Sequence, residues 1–205
     1  MLNPQALALA YALSTVAGLR ASLTVLALSI AVHQHVIAVP VSMTWLASDV
    51  TVVIAAVFAL ADAFADKFPV VDHALHLVHG VLAPVAGGIA GSALIPDIIG
   101  PGGGTATATI APATIAFAAG GAAIAFVVNA LRGAIRAATS ALSLGVLNPA
   151  VSIIEDICAI AALIVAFIAP FLAAAAVLAL TLAAVLIAVK AMRAAAHRRG
   201  RVTSI

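Results

Sequence analysis

Charge is what this chain has least of. Nine Lys or Arg and seven Asp or Glu make up 8% of its 205 residues, where a soluble domain carries about 25%. A water-facing exterior is therefore excluded for most of the surface, because charged side chains have to form such an exterior. Cysteine is almost missing too. Cys158 alone permits no intramolecular disulfide and no cysteine-built metal cage. Aromatic residues are only 4% of the chain, and none alternates with basic residues as a base-stacking surface would require, so no nucleic-acid partner is expected. What is present is apolar: 65% of the residues, with a mean hydropathy of +1.29. The composition is that of an integral membrane protein whose main partner is the lipid bilayer.

The amino terminus, MLNPQALALAYALSTVAGLR, lacks the basic n-region of a secretory signal, and its apolar run passes any cleavage point, so it is expected to stay as a first span. A helix needs about 20 apolar residues to cross the hydrocarbon layer. Cutting at polar or Pro/Gly-rich points gives an all-α chain of about six transmembrane helices, near 5–33, 49–66, 73–95, 110–138, 151–169 and 171–190. The breaks are HQHVIAVPVSMTW, DKFPVVD, IPDIIGPGGGTAT, SLGVLNPA and the Ala169-Pro170 corner. Lys and Arg gather most strongly after the sixth span, which predicts a cytoplasmic C-terminus; counting back puts the loop holding Lys67, the loop after Arg132 and Arg136, and the N-terminus on the same side.

The halves resemble each other. VAGLRASL (16–23) aligns with VNALRGAI (128–135), placing Arg20 opposite Arg132, and each half then has an acidic second span and a Leu/Ile-Ala-Pro sequence. Three spans per half make the second copy enter from the opposite side, a 3+3 inverted repeat of the kind transporters use. The expected units are a three-helix repeat over 1–100, a Gly-rich connector over 101–109, a second repeat over 110–192 and a basic cytoplasmic tail over 193–205.

GLRASLT near the start, FADKFPVVD followed by His79 and Pro84, and the late SIIEDICAI together resemble a bacterial membrane family, domain of unknown function 4126, over residues 15–190. The resemblance implies a small multi-span protein of the bacterial inner, or plasma, membrane and supplies no activity. Asp62 stands where the resemblance leads one to expect Glu, and the segment ATSALSLGVLNP is less polar than expected.

The scarce ionisable groups are the candidate site. Arg20 lies mid-span, where insertion costs about 2.5–3.5 kcal/mol. It either receives an anionic group or pairs with Asp62 or Glu155 to join helices. Asp62 and Asp66, at i and i+4, share a helix face about 6 Å apart and need a cation or arginine nearby, which suits proton coupling or ion pairing. Asp66 with Lys67 also fits a span end at the interface. Glu155 and Asp156 point about 100° apart, and either could be the second-half counterpart of Asp62. Asp72, His76 and His79 form a stripe at i, i+4 and i+7, but match no established zinc motif; metal binding, a proton relay and a structural role remain open. Arg136, one turn past Arg132, is expected to snorkel to headgroups. Cys158, three residues beyond Glu155, is expected on the same face.

These residues point to a secondary transporter or permeation pathway for an anionic or polar solute, with Arg20 and Arg132 as receivers and the carboxylates as proton-coupling or ion-pairing groups. The alternatives are a scaffold or accessory subunit of a larger membrane complex, and divalent-cation transport. No enzyme signature and no cofactor motif stands out. So small a monomer offers few helices to enclose a route, which makes a homodimer one expected assembly.

Overall fold

The computed structural model describes residues 3–65, 69–94, 112–143 and 146–202, with side chains described except at 69–77, 142, 148, 184, 185, 187, 188 and 191–202. Among the described residues the regular elements are all helical: α1 (Pro4–Leu19), α2 (Ala21–His33), α3 (Asp49–Ala65), α4 (Pro69–Ala93), α5 (Pro112–Ser143), α6 (Asn148–Ile168) and α7 (Pro170–Val202). Local chemistry sets several ends. Asn3 caps α1, its Oδ1 accepting from the Gln5 amide at 3.0 Å with Pro4 in the first turn. At the other end of the chain, Pro170 forces Ala169 out of the helical region (φ −141°, ψ 72°) and opens α7.

The 5–33 span is not one helix. Arg20 is extended at φ −144° and ψ 89° and separates α1 from α2, although no proline follows it. Its amide still bonds Val16 O at 2.7 Å, and its carbonyl accepts from Thr24 at 3.1 Å. The loop expected over 34–48 contains a 3-10 turn, Val41–Ala47, bent by 63° from α3. Helix α7 continues through the expected basic tail to Val202, because AMRAAAHRR is made of strong helix formers. The Gly-rich connector lies outside the described residues.

Helix α1 occupies the middle of the bundle, touching α4, α5, α6 and α7, and nearly every residue from Ala10 to Gly18 is buried. The most extensive pair is α4 against α5, and it depends on small residues. A Cβ on Gly91 would sit 2.5 Å from Phe117 O, and one on Gly87 would sit 2.5 Å from Gly121 O; backbones this close leave room for hydrogen only. Gly91→Val is expected to separate α4 from α5 and to lower stability by about 1–3 kcal/mol, read from the unfolding midpoint of detergent-solubilised protein.

Polarity is arranged inside out. Val50, Val53, Ile54, Val57, Phe58, Leu60 and Phe64 line the exposed side of α3, while Arg20, Asp62, His79, Asn129, Arg132 and Arg136 are buried. An exterior of this kind suits lipid and is compatible with a membrane location. By length and composition, Pro112–Ala141 and Pro149–Ile168 can cross a membrane, and the bent pair Val41–Ala47 with Asp49–Ala65 makes a third candidate.

Candidate functional site

The break at Arg20 sends its guanidinium into the bundle, where the side chain is 1% exposed. Nε lies 2.7 Å from Asp156 Oδ1 on α6. One terminal nitrogen donates to Ser152 Oγ at 3.0 Å, one helical turn before Asp156. The other is 3.9 Å from Asp62 Oδ2 on α3. Side chains from α3 and α6 therefore meet on one cation at the α1–α2 junction, and the extended backbone at residue 20 is stabilised by tertiary partners.

Asp62 passes the network onward. Its Oδ2 accepts from the Ser22 hydroxyl, in the first turn of α2, at 2.6 Å, and its Oδ1 is 2.7 Å from His79 Nε2 on α4. The other imidazole nitrogen, Nδ1, is 3.3 Å from Arg132 Nη1 on α5. Arg132 Nε donates to Glu155 Oε2 at 2.9 Å, and Arg136 Nε lies 3.3 Å from the same oxygen. The path Asp156, Arg20, Asp62, His79, Arg132, Glu155, Arg136 thus links α3, α4, α5 and α6 to the α1–α2 junction.

Chemistry assigns the tautomer of His79. A guanidinium can only donate, so Nδ1 must be the lone-pair acceptor of Arg132, and Nε2 carries the hydrogen given to Asp62. Among the described side chains, three guanidinium groups then face three carboxylates around a neutral imidazole, and such pairing is what a low-dielectric interior requires of buried ions. Exposure rises from 1% at Arg20 to 13% and 20% at the Glu155 and Asp156 side chains, so α6 forms the wetter edge.

The structure brings together Arg20, Arg132, Asp62, Glu155, Asp156 and His79, all expected site residues, and divides the adjacent acids between partners: Asp156 takes Arg20, and Glu155 takes Arg132 and Arg136. Asp66 and Lys67 lie outside the described residues, as do the side chains of Asp72 and His76. Arg136 corrects the snorkelling expectation: it is buried against Glu155. Arg132 and Arg136 therefore serve the interior and are not orientation markers. Cys158 is exposed, because the inward stripe of α6 runs through Ser152, Ala159, Leu163 and Ala166 and leaves position 158 outside. Ser22 and Ser152 were missed. The available signal was a small polar residue two positions after Arg20 and another one turn before Asp156.

Two cavities lie elsewhere. One of about 320 Å³ sits between α1, α4 and α5, lined by Tyr11, Ser14, Gly91, Phe117 and Gly121 among others, and one of about 420 Å³ lies between α2 and α6 beside Ala27, Gln34, Leu163 and Phe167. Both are almost wholly apolar, and no member of the charge network lines either. Among the described residues no group of three His, Cys, Asp or Glu side chains is placed to hold a metal ion.

No curated protein and no solved structure matches the chain. The family model described as Domain of unknown function (DUF4126) matches residues 7–190, a range that contains every member of the network, and the chain belongs to that family.

Proposed function

We propose that the protein is a small secondary transporter or permeation pathway for an anionic solute in the bacterial inner membrane, with both termini in the cytoplasm. Its six spans form two three-helix halves, α1 with α2 being the first span. The observation that carries this reading is Arg20: a fully buried guanidinium at a helix break that no proline causes, held by side chains from α3 and α6. Broken helices with charged side chains at their centre are the usual construction of transporter sites. At rest, Asp156 occupies Arg20 and Glu155 occupies Arg132 and Arg136. An entering anion takes the place of a carboxylate on a guanidinium, and the carboxylates return when it leaves, so no arginine is left uncompensated in either state. The half-buried edge at Glu155 and Asp156 is the point of entry.

The test uses purified protein in liposomes loaded with potassium chloride, nitrate, acetate or phosphate, with anion efflux measured against protein-free liposomes. Flux of at least one of these anions is expected from the wild type. The double substitution Arg20→Gln with Asp156→Asn removes both charges while keeping hydrogen-bonding side chains, and is expected to retain the fold and abolish flux.

A second reading is supported by the cavities, which avoid the network. A scaffold or accessory subunit could use the same ion pairs solely to fix helix register. In that case no anion would cross, and the double variant would be as stable as the wild type and would still assemble with its partners.

A further inference from the structure

Hydroxyls in these helices find partners in one of two ways. Thr15 donates to Tyr11 O at 2.9 Å and Ser92 to Gly88 O at 2.7 Å, in each case the carbonyl one turn back, whereas Ser14 and Ser22 reach across to Gly87 O and to Asp62. Ser29 on α2 does neither. It is 0% exposed, and among the described residues its Oγ has no hydrogen-bond partner. A buried hydroxyl left in this way costs about 1–3 kcal/mol, and protein interiors offset that cost with water where the surroundings are polar.

The register of α2 supplies such surroundings. At about 100° per residue, Ser22, Ser29 and His33 fall within about 40° of one another. Both ends of this stripe meet α3 or the turn leading into it: Ser22 Oγ donates to Asp62 Oδ2 at 2.6 Å, and His33 Nδ1 lies 2.8 Å from Ala47 O and 3.6 Å from Asp49 Oδ1. On α3, Thr51, Ala55, Ala59 and Asp62 make the answering stripe, within about 80°, and the buried side chains of that helix are Ala55, Ala59 and Asp62. Between its polar ends this stripe presents nothing larger than alanine. The His33 end is open to water: the His33 and Asp49 side chains are 37% and 89% exposed, and the Ser48 and Thr51 hydroxyls share a hydrogen bond of 2.8 Å beside them.

We propose that the seam between α2 and α3 holds a file of water from the His33 end to Asp62, with the Ser29 hydroxyl as its midway member, and that protons reach Asp62 by this route. This rests on the transport reading and deepens it by naming the coupling ion and its path. Ser29 lies about 6 Å along α2 from His33 and about 10 Å from Ser22, spans that about one and about three waters bridge. A hydroxyl has one hydrogen to give and two lone pairs to receive. A proton arriving on a water at Ser29 Oγ is taken there while the original hydrogen passes to the next water, and Ser22 repeats the exchange onto Asp62 Oδ2. Each serine ends as it began, and Asp62 gains one proton. Throughout, the other Asp62 oxygen stays 2.7 Å from His79 Nε2, with Arg20 3.9 Å from Oδ2.

The experiment follows water along α2. Ser29→Cys and Val32→Cys are each placed in a chain carrying Cys158→Ala, reconstituted in lipid nanodiscs and exposed to silver nitrate in chloride-free buffer; surviving thiols are then counted with a maleimide after denaturation. Silver ion travels in water and binds thiolate, a soft ligand. The two positions are 0% and 5% exposed, and Val32 is the nearer to the His33 end, so depth alone makes Val32→Cys the more reactive. The seam reverses that order: Ser29→Cys is expected to lose its thiol and Val32→Cys to keep it. Any other pattern overturns the proposal. Ser29→Ala is expected to fold, and its anion flux in liposomes under an imposed proton gradient is expected to fall, while Ser29→Thr, which keeps a hydroxyl, retains most of it. Undiminished flux in Ser29→Ala also overturns the proposal. Wild-type flux separates the two readings. Silver access at Ser29→Cys in a protein that passes no anion would sink the transport reading and leave the water file standing; flux with Ser29→Cys sealed would sink the file and leave transport standing.

Discussion

Replacing Glu155 by glutamine is expected to destabilise the protein by about 3–5 kcal/mol, the range for removing one partner of a buried ion pair. Glu155 Oε2 lies 2.9 Å from Arg132 Nε and 3.3 Å from Arg136 Nε, so one neutralisation removes a charge that two guanidinia share. Neither guanidinium can escape by losing its proton, because arginine stays charged in proteins. The loss is therefore expected to persist as pH rises. A compensating Arg136→Gln in the same chain removes the excess positive charge and should recover most of the stability. The measurement is the unfolding midpoint in detergent for the wild type, both single variants and the double variant. Additive losses in that cycle would show that Glu155 and Arg136 do not act as a pair.

Arg20→Gln is the mirror case, with an expected loss of about 3–5 kcal/mol at neutral pH. It leaves Asp156 and Asp62 without their shared guanidinium, and the uncompensated charge is now negative. A carboxylate can be relieved by a proton where an arginine cannot be relieved at all. The deficit of Arg20→Gln is therefore expected to shrink as pH falls. Asp156→Asn added to Arg20→Gln should recover stability at neutral pH. A deficit of Arg20→Gln that stayed constant as pH fell would show that neither carboxylate depends on this guanidinium. These results also bear on function, because a single neutralisation of Arg20 confounds loss of flux with loss of fold; only the paired change separates them.

Composition and periodicity determined a good deal. The apolar share excluded a water-facing exterior, and the polar and proline-rich breaks placed the helix boundaries to within several residues except at Arg20 and at the end of α7, which runs on to Val202, since these are local properties carried by a handful of neighbouring side chains. The larger exception is the break at Arg20. It has no local signature, because a buried guanidinium meeting Asp156, Ser152 and Asp62 stabilises the extended backbone, and those residues lie far along the chain. Rarity also marked the site: in a chain with so few ionisable groups, each one inside an apolar stretch was a candidate, and Arg20, Arg132, Asp62, His79, Glu155 and Asp156 do meet.

Tertiary structure alone decided how they meet. Glu155 and Asp156 are indistinguishable by position, and they are sorted by which helix faces each side of α6. Arg136 looked like an interfacial side chain because snorkelling depends on depth and orientation, neither of which is encoded in its neighbours. Cys158 and Glu155 sit three residues apart, yet one faces outward and the other inward, because Glu155 lies at the border of the buried stripe. The tautomer of His79 likewise follows from an acid on α3 and an arginine on α5, groups that only the packed bundle sets on opposite sides of one ring. Sequence determined which groups the membrane interior would have to accommodate; the packing of the helices determined which charge compensates which, since ion pairing is a contact between distant segments and no local pattern specifies it.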